Sequence, residues 1–162
     1  ILRYIQERGT EKGGQPQLYY SVENNTLGEA ALIVIRDIGE ENFPGLFLSE
    51  PIRKGHVRKF RKGFNTTHRT KITACSQLKN MLETQKMKIY SKPLVSELKT
   101  FVATGVGFNA KTGEHDDLIS GVLLIIRMAT VLADWDPQIY DKLTERITED
   151  QMPMPIFVSS GF

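Results

Sequence analysis

The most regular pattern of apolar positions lies between Asp116 and Ala133, where Leu118, Val122, Ile125, Ile126 and Ala129 recur at i, i+4, i+7, i+8 and i+11. This spacing predicts an amphipathic helix. A second helix is predicted from Thr26 to about Ile38, with Leu27, Ala31, Val34 and Ile38 on one face. Thr26 with Glu29 three residues on predicts its capping box. A third is predicted over residues 70–85, with Ile72, Cys75, Leu78 and Leu82 facing inward. Pro93 opens a shorter helix over residues 94–99, and residues 2–8 form another that Gly9 ends. Aromatic and β-branched runs predict strands at residues 18–23, 46–48 and 88–90, with residues 58–64 extended. Residues 101–108 read as one further strand, loosened by Gly105 and Gly107. After Asp136-Pro137 one more short helix is predicted, broken by Pro153 and Pro155. Short strands alternating with helices predict an α/β domain.

Length and composition add bounds. The chain of 162 residues has room for a single domain with a real core, and 40% hydrophobic with 25% charged residues is ordinary for a globular protein. The apolar run Val122 to Ile126 stops at Arg127, and no run approaches the length of a membrane span, so no membrane partner is expected. No leader peptide is visible at the start. The lone Cys75 excludes an internal disulfide and fits a reducing compartment. A start at Ile1 rather than Met leads us to expect a fragment or a processed product.

The net charge of +2 says little, but its distribution says more. Residues 53–71 hold Arg53, Lys54, Arg58, Lys59, Arg61, Lys62, Arg69 and Lys71 and no acid. Phe60, Phe64, Thr66, Thr67 and Thr70 interleave them. Such a strip is either a solvated face or a surface that neutralises phosphates without reading bases. The acids stand elsewhere. Glu23 falls at the carboxyl end of a predicted strand, beside a helix start, where α/β folds place their sites. A solvated acid near a helix N-terminus is the plainer reading. Asp116 and Asp117 open the strongest helix. One Asp would be explained as a cap, whereas two after Glu114 and His115 repel one another unless a cation offsets them. Hard ions such as Mg²⁺ and Mn²⁺ are bound by a few carboxylates with waters and phosphate oxygens. The histidines lack zinc spacing, Cys75 is expected buried and inert, and no phosphate-binding loop of the ATPase type occurs.

Three stretches in order, Tyr20-Ser21-Val22-Glu23-Asn24-Asn25, Gly63-Phe64-Asn65-Thr66-Thr67 and Glu114-His115-Asp116-Asp117-Leu118, resemble the C-terminal nuclease domain of the large terminase subunit. The likeness is greatest to T4-like tailed phages, particularly those of cyanobacteria. It runs from about Leu18 to Asp134. It implies an RNase H-like fold, a mixed sheet flanked by helices. It also implies a divalent-metal-dependent endodeoxyribonuclease that cuts concatemeric double-stranded DNA during packaging in the host cytoplasm. Glu23 matches the family's second acidic position and the pair Asp116 and Asp117 its third. These three are the implied catalytic and metal residues for a two-ion site holding Mg²⁺ or Mn²⁺, and the basic strip lies along the DNA path. The implied partners are double-stranded DNA, the terminase ATPase domain and the portal.

One position departs from the pattern. The family's first catalytic Asp lies upstream of the Glu, and none of the 22 residues before Glu23 is Asp. The chain is thus expected to lack the first strands and the motor domain, and to be inactive alone. The strand from Leu18 to Glu23 is then expected to be an open edge through which copies associate. Two alternatives stand beside the nuclease: a non-catalytic module that binds DNA or docks on the portal, and another RNase H-like enzyme of the resolvase or integrase type.

Overall fold

A computed structural model describes residues 1–11, 17–54, 57–105 and 107–135. Helix α1 (Leu2–Glu11) runs past Gly9 and is followed by β1 (Tyr19–Tyr20), α2 (Thr26–Ile38) and β2 (Leu46–Phe47). A hairpin of β3 (Ser49–Lys54) and β4 (Val57–Lys62) comes next. Then come α3 (His68–Glu83), α4 (Lys92–Thr100), β5 (Phe101–Thr104), β6 (Gly107–Ala110) and α5 (Asp117–Trp135). The architecture is mixed α/β. The tail after Asp136 lies outside the described residues.

The strands differ from the single mixed sheet expected. Among the described residues they form three two-stranded ladders: β1 with β2 in parallel, β3 with β4 and β5 with β6 antiparallel. An isolated bridge from Glu23 to Phe64 ties the first two ladders together, and another from Ser49 to Gly63 lies at the end of the second. Residues 101–108 are a hairpin rather than one strand, because Gly105 takes a positive φ of 59° and turns the chain back. Residues 88–90 form no strand. Of these, Ile89 is half-buried and packs against the helical core.

Helix α5 is the spine of the molecule. Its Ile119, Leu123 and Ile126 pack against Ala74, Cys75 and Leu78 of α3 and Leu94 of α4. A second stripe on the same helix, Leu124, Met128, Val131 and Leu132, packs against Tyr19, Leu48 and Phe64. Serving two cores explains why this helix is apolar over so much of its circumference. It also moves the buried face by one residue from the predicted set: Ile119 and Leu123 are buried, while Leu118 and Ile125 are exposed. The inward face of α3 is largely as predicted, with Cys75 and Leu78 buried. On α2 the buried position is Gly28, and the predicted apolar face of Leu27, Val34 and Ile38 is exposed.

The start of α5 is held from outside the helix. Glu97 of α4 accepts the backbone N–H groups of Leu118 (3.0 Å) and Ile119 (3.2 Å) through one carboxylate oxygen. A helix leaves its first N–H groups without internal partners, and an acid there also suits the dipole. Capping by Glu97 frees Asp116 and Asp117 from that task. Replacing Glu97 with Ala is expected to cost about 1 kcal/mol, read as a shift in the urea midpoint.

Candidate functional site

Glu23 is placed by the residues around it. The chain after β1 stays extended: Phe64 N–H donates to the Val22 carbonyl at 2.9 Å, and Asn24 N–H donates to the Phe64 carbonyl at 2.7 Å. Asn25 then starts α2. Its side-chain oxygen accepts the Gly28 N–H at 2.9 Å, and its amide nitrogen donates to Glu23 Oε2 at 3.3 Å. One amide thus caps the helix and steadies the carboxylate. The predicted cap was Thr26 with Glu29; the actual cap lies one residue earlier, at Asn25. Gly28 rides directly on the Glu23 carbonyl, with no room for a side chain. Gly63, at φ 70°, makes a similar close approach to the Val22 carbonyl.

Asp116 meets the site through Lys71. Lys71 Nζ lies 3.2 Å from Asp116 Oδ2 and 3.1 Å from Asn109 Oδ1, and 5.6 Å from the centre of the Phe101 ring. Thr67 and Thr70 form a reciprocal capping box that fixes the first turn of α3, and with it Lys71. Lys71 was expected on the DNA strip; it is instead turned into an ion pair. Cys75 sits one turn along α3. Burial pushes its thiol pKa up, Lys71 pulls it down and Asp116 raises it. The thiol stays protonated and packed, as expected.

Glu23 and Lys71 line one cavity of about 90 Å³ with Thr66, Ser120 and Arg127, over a floor of Ala74, Leu123 and Leu124. Since one water needs roughly 10–15 Å³ of such space, the cavity takes a few waters or one small polar group. Arg127 is itself tied down. It donates to Glu50 Oε1 at 2.6 Å, to the Asn65 carbonyl at 3.0 Å and to Thr66 Oγ1 at 3.3 Å. Its guanidinium also lies 5.2 Å from the centre of the Phe64 ring. The sequence singled out Asn25 as part of a motif but not as the cap, and it missed Glu97 and Arg127, of which Arg127 gave a signal as the charge that interrupts an apolar helix.

The candidate acids are thus brought together unequally. Glu23 lines the cavity and Asp116 reaches its edge through Lys71. Asp117 is exposed in the first turn of α5, and among the described residues its carboxylate has no partner. No group of three His, Cys, Asp or Glu able to hold a metal occurs among the described residues. By themselves these residues do not fit a two-ion set.

The basic strip resolves into parts. Lys59 and Arg61 are exposed on β4, and Arg69 is exposed on α3. Lys62 is paired with Glu40 and lies over the Phe47 ring. The backbone register sets Arg53 opposite Arg58 across the hairpin. The side chains of Arg53, Lys54 and Arg58 lie outside the described residues. No helix among the described residues is long and apolar enough to cross a membrane. No protein-family model matches the chain.

Proposed function

We propose that the chain is the greater part of a packaging-type endonuclease domain that acts on double-stranded DNA, built on an RNase H-like plan. The observation that carries this reading is the meeting of Glu23 with the Lys71–Asp116 pair at one cavity, where a strand end and two helices converge. The resemblance of the three motifs adds the substrate and the setting: concatemeric DNA, a motor domain and a portal as partners, and the host cytoplasm. Lys59, Arg61 and Arg69 supply exposed positive charge for the phosphate backbone. Mg²⁺ or Mn²⁺ is the cofactor class this reading implies. The described acids do not close its ligand set, so a further carboxylate is required.

The resemblance places a first acidic strand beside β1, so the test uses the chain extended by such a strand. With Mn²⁺ it is expected to cut supercoiled plasmid. Glu23→Gln and Asp116→Asn are each expected to lower the rate by at least about 100-fold, the usual scale for an acid that acts on the reaction. Undiminished cutting by Glu23→Gln overturns the reading.

A second reading has its own support. Asp116 is neutralised within the chain, and cationic side chains are exposed on β4 and α3. Both suit a module that binds DNA without cutting it. DNA affinity that falls steeply with salt, with no cutting by the extended chain, favours that reading. Among the described residues β2 is the one strand laddered to β1, which adds the proposal that copies pair through residues 18–23. It is checked by sedimentation across a concentration series.

A further inference from the structure

The cavity at Glu23 holds more hydrogen-bond donors than its own acceptors use. Ser120, Leu123, Leu124 and Arg127 fall at i, i+3, i+4 and i+7 on α5, and Lys71 and Ala74 at i and i+3 on α3, so each helix turns one face into it. An ammonium carries three donors and a guanidinium five. Lys71 spends two, on Asp116 Oδ2 and Asn109 Oδ1. Arg127 spends three, on Glu50, the Asn65 carbonyl and Thr66 Oγ1. Among the described residues the Ser120 hydroxyl makes no hydrogen bond, and the Thr66 hydroxyl accepts from Arg127 but does not donate. Asp116 and Glu50, the acids that hold the two cations, do not line the cavity. Glu23 does, with one oxygen taken by the Asn25 amide.

Two cations and two hydroxyls therefore face the cavity with a single carboxylate. A cation placed there is repelled by Lys71 and Arg127, and a fully ionised anion is repelled by Glu23. An anion that still carries a proton satisfies every group: its oxygens accept from the cations and hydroxyls, and its O–H donates to Glu23. We propose that this cavity binds one phosphate group that retains a proton, either inorganic phosphate or the terminal phosphate of a nucleic acid. A volume of about 90 Å³ takes a group of that size. A backbone diester has no proton to give and is excluded by the same carboxylate. The site thus goes beyond the nuclease reading and does not rest on it; backbone phosphates belong with the exposed Lys59, Arg61 and Arg69.

The test contains no duplex and no metal, so its result is independent of whether the protein cuts. At about pH 6 phosphate keeps a proton, whereas sulfate is fully ionised. The backbone amide signals of the unaltered chain are followed by NMR while each anion is added at constant ionic strength. Phosphate is expected to move the Thr66 and Ser120 signals and to bind at least about tenfold more tightly than sulfate, the scale of one hydrogen bond to a charged group. Charge alone predicts the reverse order. Dimethyl phosphate, a diester, is expected to bind no better than sulfate. Ser120→Ala is expected to weaken phosphate binding several-fold, and Glu23→Gln to abolish the preference for phosphate over sulfate. Tighter binding of a 5′-phosphorylated dinucleotide than of inorganic phosphate assigns the site to nucleic-acid ends; equal or weaker binding assigns it to the free ion. Sulfate or dimethyl phosphate binding as tightly as phosphate overturns the proposal. So does a phosphate response confined to Lys59 and Arg61, or a preference for phosphate that survives in Glu23→Gln.

Discussion

Replacing Gly28 with alanine is expected to destabilise the protein by roughly 3 kcal/mol or more, the upper range for overpacking. An added Cβ would stand 1.6 Å from the Glu23 carbonyl oxygen and 2.8 Å from the carbonyl carbon. Neither is a flexible side-chain end that can swing aside. Relief requires α2 to move off the strand end, and that movement takes Asn25 and its bond to Glu23 with it. The same substitution at Gly121 is a control. Nothing lies within 4 Å of a Cβ there, in the second turn of α5. Gly121→Ala is expected to stabilise by about 0.5–1 kcal/mol, the difference in helix propensity. Urea denaturation of the two variants reads both signs. A Gly28→Ala midpoint equal to that of the unaltered chain contradicts the close approach.

Arg127→Met is expected to cost roughly 3 kcal/mol. Its side chain and that of Glu50 are 12% and 15% exposed, so removal of the guanidinium leaves a carboxylate enclosed without a counter-charge. The loop at Asn65 and Thr66 loses its anchor to α5 at the same time. Truncating one partner of such a pair is far more damaging than replacing both. The double variant Arg127→Met with Glu50→Gln is therefore expected to recover more than half of the loss. A single variant that costs less than about 1 kcal/mol would put the pair among ordinary surface bridges.

Much of the helical framework was readable from spacing and caps. The α2 boundaries match those predicted, and α3, α4 and α5 lie within two residues at each end. Local pattern suffices there because each helix carries its own periodic stripe and its own stop signal. The strands were harder. A strand of two residues, such as β1 or β2, is defined by its partner and scarcely by itself. The hairpin at residues 101–110 was hidden because an interior glycine weakens a strand and turns one with equal ease.

The site was readable in its residue types and not in their pairing. Glu23 and Asp116 stood out as acids at element ends; Glu23 lines the cavity with Lys71, and Asp116 is paired with that lysine. Asp117 looked equivalent to Asp116, yet Asp116 stands just before α5 and is bonded to Lys71, whereas Asp117 opens the helix and is exposed. Lys71 looked like the last residue of a basic strip. Its role comes from Asn109 and Asp116, 38 and 45 residues away, which no local pattern reports. Glu97 likewise caps a helix whose nearest bonded amide, that of Leu118, lies 21 residues further on.

The nuclease reading requires Glu23 and Asp116 to act as one unit. That unity is measured by the cutting rates of Glu23→Gln, Asp116→Asn and the double variant in the extended chain with Mn²⁺. Residues that serve one reacting centre are strongly non-additive. The double variant is predicted to be no slower than the slower single variant. Losses that multiply, or single variants that cut at the unaltered rate, would contradict a shared site.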